Sequence, residues 1–122
     1  MTTVYGIQEP PPFYNRKTGN HGEKDLSSAQ RYGKVVFLLT RQDKPATLPG
    51  PCHRKLVQGL QNFRPDDFLF FPGGDFLALL QTGGILRDMG FRKVQYLKWE
   101  KERDTDGKQK DGGFYMPVEV ML

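Results

Sequence analysis

Cysteine is almost missing from this chain. Cys52 is the only one in 122 residues, which excludes an intramolecular disulfide and favours a reducing compartment. Histidine is scarce as well. His21 and His53, with one thiol, cannot close a zinc tetrahedron. No apolar run approaches the roughly 18 residues of a membrane span. The start, Met1-Thr-Thr-Val-Tyr5, lacks the basic and apolar regions of a signal peptide, so an intracellular, cytoplasmic protein is expected. Clustered charge is absent too. The net charge is +4, but residues 1–34 hold five basic and three acidic side chains, residues 35–90 six and five, and residues 91–122 seven and six. A phosphate-backbone footprint needs basic side chains gathered on one face, and nothing in the order of residues gathers them. The chain also lacks the glycine fingerprint of dinucleotide folds and the Gly-Lys-Ser/Thr ending of phosphate loops.

What is present is layered structure. Asp67-Phe-Leu-Phe-Phe-Pro-Gly-Gly-Asp75 is a short apolar run that ends in a glycine turn, and Phe76-Leu-Ala-Leu-Leu80 opens a helical segment behind it. A buried strand leading through a tight turn into a helix predicts a parallel sheet covered by helices. Lys34–Thr40, β-branched and aromatic, reads as a central strand. Pro51 suits a first helical residue, and Leu56, Val57, Leu60 and Phe63 follow as one apolar stripe until Arg64-Pro65 stops the helix. In the helix over 76–89, the apolar residues Phe76, Leu77, Leu80, Ile85 and Met89 are interrupted by Gly83-Gly84. Close packing on the sheet, or a kink, is expected to account for that pair. Gly90 fits the left-handed cap position, with Phe91 folding back.

Val94–Trp99 reads as a third strand and Phe114–Leu122 as a fourth. Pro117 places the fourth at an edge. Between them, residues 100–113 read as a long polar connection. Residues 1–32, with Pro10-Pro-Pro12 and no apolar period, read as an irregular arm anchored by Val4, Tyr5, Phe13 and Tyr14 and available to a partner. The expectation is therefore a single α/β domain over 33–122, a small three-layer sandwich of order β-α-β-α-β-β. Its sheet is mostly parallel, with an antiparallel C-terminal edge strand. The favoured strand order, 2-1-3-4, puts Lys34–Thr40 at the centre.

Asp67-Phe-Leu, the Gly74-Asp75 turn, Leu97-Lys-Trp-Glu100 and Tyr115-Met-Pro-Val-Glu119 together resemble small proteins of tailed phages, particularly marine ones. The resemblance spans residues 33–122. It implies viral origin and supplies no activity.

Two groups of residues are candidate sites. In parallel sheets, ligands sit beyond the carboxyl ends of strands. That rim collects Arg41 and Lys44 from one loop and Gly73, Gly74 and Asp75 from another, a candidate anion or nucleotide site; the competing reading is that Asp75, which would repel a phosphate there, only caps its helix. Tyr96, Lys98, Trp99, Lys101 and Tyr115 form the best aromatic and basic grouping for single-stranded nucleic acid or a partner surface. Cys52 and His53, neighbours about 100° apart on a helix, make a poor catalytic pair. Asp104-Thr-Asp106-Gly107 lacks the further ligands of a calcium loop. No cofactor and no metal are expected. The preferred reading is a non-enzymatic phage accessory protein that binds a macromolecule, protein in preference to nucleic acid, with self-association through the edge strand as one route. The alternatives are nucleotide or phosphate binding at the rim and binding of single-stranded nucleic acid.

Overall fold

The computed structural model describes residues 2–15, 19–22, 25–45, 50–103 and 109–122. In chain order its elements are strand β1 (Thr3–Gln8), hairpin strands β2 (Phe13–Asn15) and β3 (Asn20–Gly22), helix α1 (Ser27–Gln30), β4 (Lys34–Leu39), α2 (Pro51–Gly59), β5 (Phe68–Phe70), α3 (Phe76–Asp88), β6 (Lys93–Arg103) and β7 (Gln109–Met121). Five strands make one sheet in the order β4-β1-β5-β6-β7. The first three pairings are parallel, and β6–β7 is antiparallel. The fold is thus α/β, mostly parallel, with an antiparallel C-terminal strand at one edge. Pro117, which lacks an N–H, lies in that edge strand opposite Leu97.

Two expectations need correction. Residues 1–32 do not begin as an irregular arm, because Thr3–Gln8 is an interior strand of the sheet, between β4 and β5. Lys34–Leu39, expected at the centre, is instead the far edge, and β5 pairs with β1 and β6 rather than with it. The reason is visible in the burial of β1. Val4 packs into the cluster with Phe70, Leu97 and Tyr115, whereas Tyr5 and Ile7 pack into the cluster on the other face. A strand covered on both sides has no reason to alternate apolar with polar residues. Gly6 further masks it, since a Cβ there would collide with the Phe37 ring. Asp67 fixes the register from below. Its buried carboxylate accepts from the backbone N–H of Thr3 (2.9 Å) and of Arg64 (2.9 Å).

Helices α2 and α3 cover one face. Cys52, Leu56, Leu60 and Phe63 from the first helix and the turn after it, and Ala78, Ile85 and Leu86 from the second, close over Tyr5, Ile7, Leu39, Leu69 and Val94. The opposite face carries a thinner layer. Ala29 of α1, with Leu26 and Tyr32, covers Val4, Phe70, Leu97 and Tyr115.

The caps follow the sequence. Pro51 opens α2, Asp75 Oδ1 accepts from Leu77 N (2.9 Å), and Gly90 has φ 102° with Phe91 N donating to Leu86 O (3.0 Å). The connection expected over 100–113 is largely strand. β6 and β7 continue past Trp99 and Phe114, with an irregularity between Lys101 and Arg103. The Asp104–Gly107 stretch lies outside the described residues.

The largest departure is in α3. Its buried residues are Ala78, Thr82, Ile85 and Leu86, whereas Phe76, Leu77, Leu80 and Met89 face outwards. Small side chains let this helix lie close to its neighbours. The buried Thr82 hydroxyl is satisfied by donating to Ala78 O (2.8 Å). Gly83 and Gly84 do not pack on the sheet, for a Cβ at either would meet nothing within 4 Å. Nor do they break the helix, which runs unbroken from Phe76 to Asp88.

Candidate functional site

β1 leads to β4 on one side of it, and the chain then crosses to β5 on the other. Beyond the carboxyl ends of these strands, three segments meet: Gln8–Pro11, Thr40–Lys44 and Gly73–Phe76. They enclose an open cleft of about 540 Å³, lined in part by Arg41, Lys44, Gly74 and Asp75. Four of the five rim residues singled out from sequence are therefore brought together. Gly73 sits beside the cleft against Pro10 and Pro11.

At its floor is a side chain that the sequence reading missed. Gln8 is buried, and its Nε2 donates to Thr40 O (3.1 Å) and Asp43 O (2.8 Å), while its Oε1 accepts from Asp75 N (2.8 Å). One amide thus joins all three segments. Gly74, at φ 122°, is required twice over, by its backbone conformation and because a Cβ would strike the Gln8 side chain. The signal for Gln8 was the β-branched and aromatic Thr2-Thr-Val-Tyr5 start, hidden by Gly6 and the prolines.

The charges of the cleft are largely engaged with one another. Arg41 Nε donates to Glu9 Oε1 (2.9 Å). Asp43 accepts from Thr40 N (2.8 Å), Thr40 Oγ1 (3.2 Å) and Lys55 Nζ (2.7 Å). The Lys55 hydrogen bond, followed by that of Thr40 N, holds the Asp43 carboxyl below its ordinary range, and Asp43 raises Lys55 in return. Lys44 is exposed. Asp75 spends one backbone N–H on Gln8 and covers that of Leu77 itself. An anion at this helix start would meet a carboxylate and find those donors occupied. Three carboxylates, Glu9, Asp43 and Asp75, face two lining cations.

The second group is divided between the two faces of the sheet. Trp99 and Tyr115 sit opposite one another across β6 and β7 on the α1 side, with ring centroids 4.9 Å apart. Tyr115 is core. It meets Phe70 edge-on at 5.3 Å, its N–H donates to Ser28 Oγ (3.1 Å), and its enclosed hydroxyl has no hydrogen-bond partner among the described residues. Burial, with a smaller contribution from Tyr96, pushes its phenol up to about 12. Tyr96 packs instead against the α2/α3 cluster, and burial raises its phenol as well. Lys98 pairs with Glu100 (2.9 Å), and Lys101 is exposed. These aromatics do not make one stacking platform. Cys52 is buried in the core. Among the described residues, no group of three or more His, Cys, Asp and Glu side chains is placed to hold a metal ion.

A third feature was not anticipated. On the outer side of α3, Phe76 is 71% exposed and Leu80 73% exposed, and Leu77 beside them is a little under half exposed. Phe76 leans on the Phe71 ring at 5.5 Å. Two shallow hollows of about 300 and 310 Å³ flank Leu80 and share Gly84 in their walls. Leu80 is a ridge between them. Sequence pattern marked these residues as apolar without showing which of them face outwards.

The family model for the phage Pam3 gp32-like protein matches residues 2–120, and the chain belongs to that family. No curated protein and no solved structure matches the chain.

Proposed function

We propose that this member of the phage Pam3 gp32-like family is a non-enzymatic accessory protein that works by binding another protein, with the outer face of α3 as its docking surface. The observation that carries this reading is the pair Phe76 and Leu80, both more than two-thirds exposed on a helix whose opposite side is in the core. Exposed apolar side chains gathered on one element, rimmed by polar ones such as His53, Gln81 and Asp88, are the mark of an interaction site. Viral origin, together with the lack of any helix among the described residues long and apolar enough to cross a membrane, supports action in the host cytoplasm.

A strand order with β1 between β4 and β5 supports a second, Rossmann-like reading, in which the rim cleft is the place for a nucleotide. The chemistry of the cleft argues against it, because its carboxylates outnumber its lining cations and Gln8 and Asp75 take up the nearby donors. The test sets the two surfaces against each other. Tagged protein is used for capture from infected cells as wild type, Leu80→Glu and Arg41→Ala, alongside thermal shift with a panel of nucleotides. The expected result is a phage or host protein retained by wild type and Arg41→Ala but not by Leu80→Glu, with no thermal shift from nucleotides. Stabilisation by a nucleotide that Arg41→Ala removes would move the function to the cleft.

A further inference from the structure

Phe76, Leu80, Gly83, Gly84 and Arg87 fall within about 100° of one another around α3, one stripe along the helix. Their relief alternates. Leu80 stands out, and one turn further on the two glycines leave open space where side chains would be. From Leu80 to the midpoint of the glycine pair is about 5 Å along the axis. A surface with a ridge and a hollow so spaced complements itself under a two-fold axis that crosses the helix between them. We propose that the chain pairs with a second copy of itself through the outer face of α3, antiparallel helix against helix, with Leu80 of each copy seated on Gly83–Gly84 of the other.

This rests on the protein-binding reading and names the partner. Arg87 fits the antiparallel arrangement. With the axis placed there, Arg87 of one copy comes opposite Phe76 and Leu77 of the other. Arg87 Nη1 donates to Leu122 O (2.6 Å), which leaves other guanidinium donors to lie on the aromatic face of Phe76. Asp88 lies about 100° round the helix from Arg87, on the far flank. The helix dipoles oppose in this arrangement and would repel in a parallel one. The paired glycines then have a use the single chain does not give them: they let two backbones approach.

Area limits the strength of the pair. The 13 residues of α3 span about 20 Å, and with both hollows the face offers on the order of 400–600 Å² per copy. A standard interface buries roughly 800 Å² per partner, so the dimer is reversible, with a Kd in the micromolar range.

Sedimentation of the full chain tests this. Wild type is expected to pass from monomer at about 1 µM to dimer at about 200 µM. Leu80→Glu should weaken association at least about 30-fold, since it places a charge in the hollow. The double variant Gly83→Ala/Gly84→Ala should weaken it about 10-fold while raising the monomer's Tm by several degrees, because alanine favours helix and its Cβ meets nothing within 4 Å among the described residues. A dimer lost together with a gain in stability cannot be blamed on misfolding. A wild type that stays monomeric at about 200 µM overturns the proposal, as does a dimer that persists in both variants, which would place the interface elsewhere, for instance at the β7 edge. Failure here is separable from failure of the broader reading. A monomeric wild type that still captures a phage or host protein through Leu80 keeps that reading and removes this one.

Discussion

The cleft at the strand ends and the outer face of α3 are built on opposite plans. In the cleft, polar groups are numerous and are paired with one another: Gln8 with three backbone groups, Glu9 with Arg41, Asp43 with Lys55. On the outer side of α3, Phe76 and Leu80 are largely exposed, and two glycines sit beside open space among the described residues. The position that fold topology marks for a ligand is spent on holding loops together, while the surface left uncovered is one that topology does not mark. Which groups still lack a partner is a better guide to function here than where they lie in the sheet.

That contrast can be broken by mutation, beginning with its strongest element. Gln8→Ala leaves Thr40 O, Asp43 O and Asp75 N without their shared partner and should cost about 2–4 kcal/mol, read as a drop in Tm of roughly 10 °C. A loss under 1 kcal/mol would mean the three segments do not depend on one another. Gly74→Ala forces a side chain into positive φ against Gln8, and denaturant titration should show a loss of about 2 kcal/mol. On α3 the same change has the opposite sign, with Gly83→Ala and Gly84→Ala each adding roughly 0.5–1 kcal/mol at concentrations where the chain is monomeric.

The Asp43–Lys55 pair gives a smaller, pH-dependent effect. Asp43 has a folded pKa below its unfolded value, so its contribution is complete above about pH 4 and is lost as pH falls through the lower, folded pKa. The difference in Tm between wild type and Asp43→Asn should therefore be level at neutral pH and shrink below about pH 4. A difference that instead grew on acidification would contradict the pairing. Least of all, Leu80→Ser should change monomer stability by under about 0.5 kcal/mol. A larger loss would show that this side chain is covered after all.

The sequence disclosed these regions unequally. Strand, glycine turn and cap at Phe68–Asp75 were legible because each carries a local signature: an apolar run, Pro72-Gly-Gly74, an acid at the helix start. Arg41, Lys44, Gly74 and Asp75 were placed together correctly because strand ends meet wherever strands are parallel. β1 was missed because burial on both faces erases alternation, and with it went Gln8 and Glu9, the cleft's central pair. The facing of α3 was not legible for another reason. Hydrophobicity ranks Phe76 and Leu80 above Ala78 and Thr82, but closeness of packing selects the small residues for the inside.

The place of β1 bears on how the protein comes off the ribosome. This interior strand is made before both of its neighbours, which begin at Lys34 and Phe68. At roughly 5–20 residues per second, the nascent chain must carry this doubly apolar segment with at least one edge unpaired for about 3–12 s before the second neighbour exists. Throughout that interval it is open to chaperones, proteases and other nascent chains. Slow codons between residues 10 and 68 should therefore lower the yield of folded protein more than slow codons placed after β5.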